Sequence, residues 1–133
     1  PPPDPERLAA FLRQSGDSMY MKTPEWLQER LEGADPPRVL DLRGPGRFAA
    51  GHIPGSRNVG LHELPERFAE LLPDPQTEVV CVCNGSVQSA YALAFLALHG
   101  HTRLHNLSGG FSRWEREGRP VAVEGPDAGS GSP

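Results

Sequence analysis

The fold is decided by the stretch Glu78-Val-Val-Cys-Val-Cys83. Apolar residues follow one another there without alternation, so both faces of the strand that they predict must be covered by other parts of the chain. The next apolar run, residues 88–98, is apolar nearly all round and long enough for a helix, which predicts that this helix is deeply packed. A strand buried on both faces and followed by a buried helix is typical of the middle of a parallel sheet.

Strands and helices alternate on both sides of this central pair, which favours an α/β fold with a largely parallel sheet and helices on both of its faces. Between residues 43 and 56 the sequence predicts only a polar turn. In chain order, the predicted elements are helix 5–14, strand 20–22, a helix from Thr23 that carries Trp26, Leu27 and Leu31, strand 38–42, strand 57–59, helix 61–71, strand 78–83, helix 88–98, strand 102–104 and a final helix that carries Phe111 and Trp114.

The length of 133 residues allows one domain with its own core. The expected division is an N-terminal helical extension at 1–18, a folded domain at 19–123 and a disordered tail at 124–133. The tail is rich in Gly, Pro and Ser and offers nothing apolar to bury. In the extension, Leu8, Phe11 and Leu12 have the spacing of one helix face, so we expect all three to be buried.

Composition excludes several classes of function. The net charge is −4 and neither sign of charge forms a block, which argues against a nucleic-acid partner. The longest strongly apolar run, residues 90–98, is about half of the roughly 20 residues that span a bilayer, so we expect no membrane partner and a cytoplasmic protein. Two cysteines, Cys81 and Cys83, are too few for a disulfide framework or a four-ligand zinc site, and the sequence indicates neither a metal nor another cofactor.

Cys83 is the residue best suited to chemistry, because it ends the central strand and precedes a loop that leads into the buried helix. Ligands of open α/β sheets bind at the carboxyl ends of the strands. Backbone N–H groups of a tight loop and the positive end of the following helix stabilise an anion there, which favours the reactive thiolate form of Cys83. The alternative is that Cys83 is a small buried residue that closes a strand, as most free cysteines are.

Motifs on both sides of this loop give the sequence a resemblance to a known family. They are Leu40-Asp-Leu-Arg43, Arg47-Phe48 and Gly51-His-Ile-Pro-Gly-Ser-Arg-Asn58 on the amino side, and Leu107-Ser-Gly-Gly110, Trp114 and Gly118-Arg-Pro-Val121 on the carboxyl side. In their order and spacing, over residues 20–123, they resemble the signatures of the rhodanese (sulfurtransferase) domain family, of the single-domain type. A match of several motifs in order is more specific than a match of any one of them.

The resemblance implies a five-stranded, mostly parallel sheet with helices on both faces. It also implies that Cys83 is the catalytic residue of a sulfurtransferase, which takes a sulfane sulfur from thiosulfate or a persulfide and passes it from a Cys83 persulfide to a nucleophilic acceptor. The residues expected to bind the sulfur donor are Asn84, Gly85, Ser86, Val87, Gln88, Ser89 and Arg47. Whether a protein serves as the sulfur donor or acceptor stays open.

The loop departs at two positions from the family's common pattern, Cys-x-x-Gly-x-Arg. Ser86 stands at the place of the glycine, and a positive φ there would strain a serine. Gln88 stands at the place of the arginine, which removes a fixed cation from beside the persulfide. Arg47 is the candidate that supplies this charge, because a guanidinium suits a sulfonate. The alternatives for Arg47 are a solvated surface residue or a partner of Asp41.

Two other functions compete with sulfur transfer. A cysteine-dependent phosphatase or arsenate reductase of related fold has the signature Cys-x5-Arg, and Ser89 stands where that arginine is required. A non-catalytic rhodanese-like module that binds a partner or a small anion is favoured by Ser86 and Gln88 and disfavoured by the presence of Cys83.

The other candidate polar residues are assigned structural roles. We expect Asp41 and Arg43 to tie the end of a strand to the next turn, and His52 to hydrogen-bond a loop rather than act as a base. We expect Cys81 to be inert packing inside the strand. The histidines His99, His101 and His105 have no cluster of carboxylates or cysteines near them in the sequence and predict no metal site.

Overall fold

The computed structural model describes residues 1–124. The strands in this range are β1 (Met21–Lys22), β2 (Arg38–Asp41), β3 (Arg57–Asn58), β4 (Val79–Val82) and β5 (Leu104–Leu107). They form one sheet in the order β1-β5-β4-β2-β3, and every neighbouring pair is parallel. A single antiparallel bridge joins His52 to Ala122 outside these strands. The predicted five-stranded α/β architecture is confirmed.

The described range also contains six α-helices and a short 3-10 helix. They are α1 (Pro5–Gln14), α2 (Pro24–Leu31), α3 (Pro45–Ala50), the 3-10 helix Leu61–Glu63, α4 (Leu64–Leu71), α5 (Val87–Leu98) and α6 (Gly110–Arg116). The starts of α1 and α2 follow from sequence, because Asp4 and Thr23 each accept a backbone N–H of the first turn and a proline follows each of them.

The central position of β4 agrees with the sequence prediction, since all four of its residues are fully buried. Val79 and Cys81 belong to a core that α4 and α5 cover, whereas Val80 and Val82 belong to a second core on the other face of the sheet, which α2 and α6 cover. Helices on both faces therefore hold the strand that ends at Cys83 in a fixed place.

Two elements differ from their sequence predictions. The segment expected to be only a polar turn contains α3, which Gly44 and Pro45 start and which buries Phe48 against the domain. The last strand, predicted at 102–104, is β5 at Leu104–Leu107. Its position is set by pairing with β4, where Val79 lies opposite Leu104, a long-range contact that local composition does not reveal.

The N-terminal helix packs against α5, and the backbone N–H of Asp4 donates to the Leu98 carbonyl at 3.0 Å. Leu8 and Phe11 are half-buried, as their shared helix face predicts. The prediction for Leu12 is wrong, because its side chain is 61% exposed. At 100° per residue Leu12 lies 100° around the helix from Phe11, so it falls at the edge of the face that packs against the domain.

Among residues 1–124, no helix combines the length and the apolar character that crossing a bilayer would require. The expected disordered tail lies outside the described residues except for Glu124, whose backbone N–H donates to the Ala49 carbonyl at 2.9 Å.

Candidate active site

Cys83 lies at the carboxyl edge of the sheet, directly after β4. The loop 84–86 joins it to α5, and residues 43–44 leave the neighbouring strand β2 at the same edge. Together they enclose an open cavity of about 370 Å³. Its lining residues are Arg43, Gly44, Arg47, Cys83, Asn84, Gly85, Ser86, Val87 and Gln88. Parallel strands that end together thus bring residues far apart in sequence to one cavity.

The thiol of Cys83 sits at the base of this cavity and is nearly buried, with 3% of the residue exposed. The backbone N–H of Ser89 donates to its Sγ atom at 3.4 Å, and the Ser89 Oγ atom lies at the same distance from Sγ. The first turn of α5 also directs its free N–H groups and its positive dipole end toward this region. The site therefore suits an anionic sulfur.

Ser89 is linked to a residue that the sequence analysis did not identify, Asn106 of β5. The Ser89 hydroxyl donates to Asn106 Oδ1 at 2.5 Å, and Asn106 Nδ2 donates to the Ser86 carbonyl at 3.2 Å. Both Ser89 and Asn106 are buried. The one signal in the sequence for a role of Asn106 was its place as a polar residue in a buried strand, because such residues require hydrogen-bond partners.

The first residues of α6 donate hydrogen bonds to the carbonyls of Cys83 and Asn84 at the start of the loop. Phe111 N–H donates to the Cys83 carbonyl at 2.8 Å, and Ser112 N–H donates to the Asn84 carbonyl at 3.2 Å. Gly110 has a φ of +58°, and a Cβ atom at that position would collide with the Cys83 and Gly85 carbonyl oxygens. A glycine is therefore required for the loop to approach α6 so closely.

Charge at the cavity comes from two arginines with different environments. The guanidinium of Arg43 forms a bidentate contact with the carboxylate of Asp41 and donates to the Gly51 carbonyl at 2.6 Å. The structural role expected for this pair is confirmed, and Asp41 neutralises the charge of Arg43. Arg47 is exposed, and its guanidinium makes no hydrogen bond or ion pair with any residue of the described range. Arg47 is thus a cation available to a ligand.

Comparison with known proteins agrees with this geometry. The sequence model of the family described as "Rhodanese-like domain" matches residues 23–117. The chain belongs to the rhodanese-like domain family.

Two relatives of this rhodanese-like protein are named as sulfurtransferases. A protein of Allochromatium vinosum named "Sulfurtransferase" is 36% identical, and the match covers 76% of this chain and 94% of that one. The "Thiosulfate sulfurtransferase GlpE" of Stutzerimonas stutzeri is 40% identical over 65% of this chain and 76% of its own. These relatives support a sulfurtransferase activity in general terms.

Solved structures show the same fold. A thiosulfate sulfurtransferase from Pseudomonas aeruginosa superposes with a TM-score of 0.71 and 27% identity, over 90% of this chain and 23% of that longer chain. A rhodanese-related protein from Thermoplasma volcanium superposes with a TM-score of 0.69 and 29% identity, over 78% of this chain and 98% of that one.

The serine in the rhodanese-like loop is not strained. Ser86 has a φ of −144°, so the position does not require a glycine. Its hydroxyl donates to the Leu107 carbonyl at 3.3 Å and accepts the Gly109 N–H at 3.2 Å. Ser86 therefore ties the loop to the turn before α6. Gln88 is exposed at the rim of the cavity and leaves the place of the family's arginine without a charge.

Two further residues of the rhodanese-like domain behave as the sequence predicts. His52 stacks on Phe48 and places its Nδ1 atom 2.7 Å from the Phe48 carbonyl, which is a structural contact. Cys81 is fully buried, and burial raises the pKa of its thiol to about 12. Cys81 is therefore an unreactive thiol.

A larger cavity, of about 450 Å³, lies away from Cys83 between α2 and the segments around Pro54 and Pro120. Prolines and aliphatic side chains dominate its lining, and no cysteine, serine or histidine contributes to it. The smaller cavity is the one that combines a nucleophile, anion-binding N–H groups and a cation.

Proposed function

We propose that this protein is a sulfurtransferase in which Cys83 carries a sulfane sulfur as a persulfide. The donor is thiosulfate or a small persulfide, and the acceptor is a nucleophile such as a thiol. The observation that carries the proposal is the position of Cys83 Sγ at the base of an open cavity that also contains the exposed guanidinium of Arg47.

The reaction divides into two displacements at sulfur. The Cys83 thiolate attacks the sulfane sulfur of thiosulfate, a new S–S bond forms at Cys83, and sulfite leaves with the electron pair of the broken S–S bond. In the second step an acceptor attacks the outer sulfur of the persulfide, and the Cys83 thiolate leaves. The covalent intermediate replaces one transfer between two free molecules by two transfers at a fixed site.

The surrounding residues stabilise the charges that each step produces. The backbone N–H of Ser89 donates to Sγ, and the first turn of α5 favours negative charge next to it. Arg47 lies where it can contact the sulfonate oxygens of thiosulfate, since it lines the same cavity and has no carboxylate partner in the described range.

The rival phosphatase or arsenate reductase function is not supported. Ser89 occupies the position of the required arginine, is fully buried, and directs its hydroxyl into the interior toward Asn106. That position therefore supplies no guanidinium that could bind a tetrahedral oxyanion.

Mass spectrometry of the intact protein tests the proposal. The protein is incubated with thiosulfate or with glutathione persulfide, freed of excess donor and weighed. We expect a gain of the mass of one sulfur atom, which cyanide removes as thiocyanate. Cys83→Ser should show no gain, because a hydroxyl does not form the S–S bond.

Cys81→Ala is the matched control, since it removes the neighbouring thiol of the same strand and should keep the gain in mass. No gain with either donor would contradict sulfur transfer and favour the binding module, in which Ser86 and Gln88 mark a loop that has lost its activity. A gain that persists in Cys83→Ser would contradict the role of Cys83.

A further inference from the structure

The Ser89 hydroxyl faces two groups that both attract its single proton. Asn106 Oδ1 lies 2.5 Å from Ser89 Oγ, and Cys83 Sγ lies 3.4 Å from it. A serine hydroxyl has one hydrogen to donate and two lone pairs to accept with. It therefore donates to one of the two groups at a time.

The orientation of the Asn106 amide is fixed by its second contact. Nδ2 donates to the Ser86 carbonyl at 3.2 Å, so Oδ1 must face Ser89. In the opposite orientation Oδ1 would face the Ser86 carbonyl oxygen. Both atoms are hydrogen-bond acceptors, and neither carries a proton to donate. Asn106 is 1% exposed, so bulk solvent does not reach its amide.

We propose that Asn106 is a positioning residue that holds the Ser89 proton away from Cys83 and so withholds one hydrogen bond from the thiolate. In this arrangement the Cys83 S–H donates to Ser89 Oγ, and the Ser89 O–H donates to Asn106 Oδ1. Each donor in this short chain has an acceptor, and each bond polarises the next.

Formation of the thiolate disturbs this arrangement. If the Ser89 hydroxyl turns to donate to the thiolate, Asn106 Oδ1 is left buried without a donor, which is unfavourable. If it does not turn, a lone pair of Ser89 Oγ faces the negative sulfur. Only the backbone N–H of Ser89 then donates to the thiolate.

The persulfide removes this conflict, because the negative charge then lies on the outer sulfur in the cavity and the Ser89 hydroxyl continues to donate to Asn106 Oδ1. The Ser89–Asn106 pair thus opposes the free thiolate, which the Ser89 N–H and the first turn of α5 favour, and it does not oppose the persulfide. The inference rests on the proposed function only in taking Cys83 as the reacting residue, and its test does not require sulfur transfer.

Alkylation by iodoacetamide measures the thiolate directly, since the thiolate sulfur forms a bond to carbon, iodide leaves and the thiol proton passes to the solvent. We expect Asn106→Leu to alkylate about tenfold faster than the wild type, because Ser89 is then free to donate to the thiolate. Cys81 does not contribute, since it is fully buried and its thiol pKa is raised to about 12. Arg43 and Arg47, the charged residues that line the cavity, are the same in every variant.

Asn106→Asp is the control for the loss of the amide donor, and it also adds a negative charge that itself disfavours the thiolate. Both substitutions remove the donor to the Ser86 carbonyl, but only aspartate keeps an oxygen that accepts the Ser89 proton. We expect Asn106→Asp to alkylate no faster than the wild type. Faster alkylation in both variants would show that loosening of the loop is the cause and would overturn the proposal.

Two variants of Ser89 complete the test. In a Ser89→Ala background, Asn106→Leu should no longer accelerate alkylation, because the hydroxyl that it frees is absent. Ser89→Ala alone should alkylate at least as fast as the wild type, and this result does not depend on whether Asn106→Leu folds. A tenfold slower rate in Ser89→Ala would show that Ser89 already donates to the thiolate, which contradicts the proposal.

Discussion

At the scale of single residues, Gly110 determines how closely the loop after Cys83 approaches α6. Its φ of +58° and the three loop carbonyls around it leave no space for a side chain. We expect Gly110→Ala to lower the free energy of unfolding by about 2 to 4 kcal/mol and to abolish sulfur transfer, because the loop must move away. Urea denaturation and the mass assay measure the two effects.

The control for this substitution is Gly46→Ala in α3, where a Cβ atom meets nothing within 4 Å and φ is not positive. It should leave the free energy of unfolding within about 0.5 kcal/mol of the wild type or raise it slightly. An equal loss in both variants would contradict the close approach at Gly110.

Arg47 permits a second prediction at this scale. Arg47→Ala should raise the KM for thiosulfate by about tenfold, because the variant loses the exposed guanidinium that we propose binds the sulfonate. An alkyl persulfide without a sulfonate should be used almost as well as before. The comparison is made in steady-state assays with both donors, with Arg116→Ala, a substitution of an exposed residue of α6, as the control. An equal effect on both donors would contradict recognition of charge.

The sequence and the family resemblance indicate that the segment after β4 and Arg47 lie at one cavity, but neither reveals that Asn106 contacts this segment. Cys83 and its loop follow from the buried strand that precedes them and the apolar helix that follows. Asn106 joins the site only because β5 pairs with β4, and Ser86 proved unstrained only when its backbone angle was known. Pairing register and φ are properties of the folded chain, which local patterns do not specify.

At the scale of elements, α1 is attached to the domain by the side chain of Tyr20. Tyr20 stacks on Phe11 with ring centroids 4.5 Å apart, and its hydroxyl donates to the Phe11 carbonyl at 2.7 Å. The backbone of Tyr20 has a φ of +63°, which is unfavourable for a side chain of this size. The side-chain contacts must outweigh that cost.

Removal of the hydroxyl tests this attachment. Tyr20→Phe should lower the free energy of unfolding by about 1 kcal/mol, the usual contribution of one partly buried hydrogen bond. Tyr91→Phe is the control, since the Tyr91 side chain is 66% exposed on α5. Both values come from urea denaturation, and an equal loss in the two variants would count against the Tyr20 contact.

The elements that sequence analysis misjudged are the short ones. α3 has only six residues and starts in a segment with three glycines and a proline, so helical periodicity has no length in which to appear. By contrast, α5 has twelve residues and its existence follows from composition alone.

At the scale of the whole molecule, Glu78, the residue before β4, contacts α2, β5 and the segment that precedes β5. Arg30 of α2 donates to both of its carboxylate oxygens, His105 of β5 lies 2.8 Å from one of them, and Arg103 lies 3.5 Å from the other. The hydrogen bond from Arg30, reinforced by His105, lowers the pKa of Glu78 from 4.5 to about 2. The folded protein therefore binds the Glu78 proton less tightly than the unfolded chain does.

The sign of the resulting pH dependence follows from linkage. The contribution of Glu78 to stability is present above about pH 4.5 and is lost as the pH falls toward about 2, and it amounts to about 3 kcal/mol. We expect Glu78→Gln to be less stable than the wild type at neutral pH, and this difference should shrink in acid. Urea denaturation at a series of pH values measures it, with the exposed Glu66→Gln as the control. A difference that does not change with pH would contradict the lowered pKa.

Burial also lowers the pKa of three histidines below 6.5: His99, His101 and His105. The unfolded chain therefore binds more protons at these sites, so stability begins to fall as the pH drops below about 6.5. Comparison of the wild type with Glu78→Gln at each pH separates the carboxylate from His99 and His101, which both proteins share.

The contacts between the loop and α6 have a consequence for protein engineering. Residues 83–89 are the segment that one would transplant to install a sulfur-carrying cysteine in another scaffold. Their shape, however, depends on donors outside this segment: Asn106 Nδ2, the Gly109 N–H and the Phe111 N–H each donate a hydrogen bond to it. It also depends on Gly110, which leaves space for the loop. The smallest unit to transplant is therefore two segments, 83–89 together with 106–112. A graft of 83–89 alone would transfer the thiol without the hydrogen bonds that fix its position.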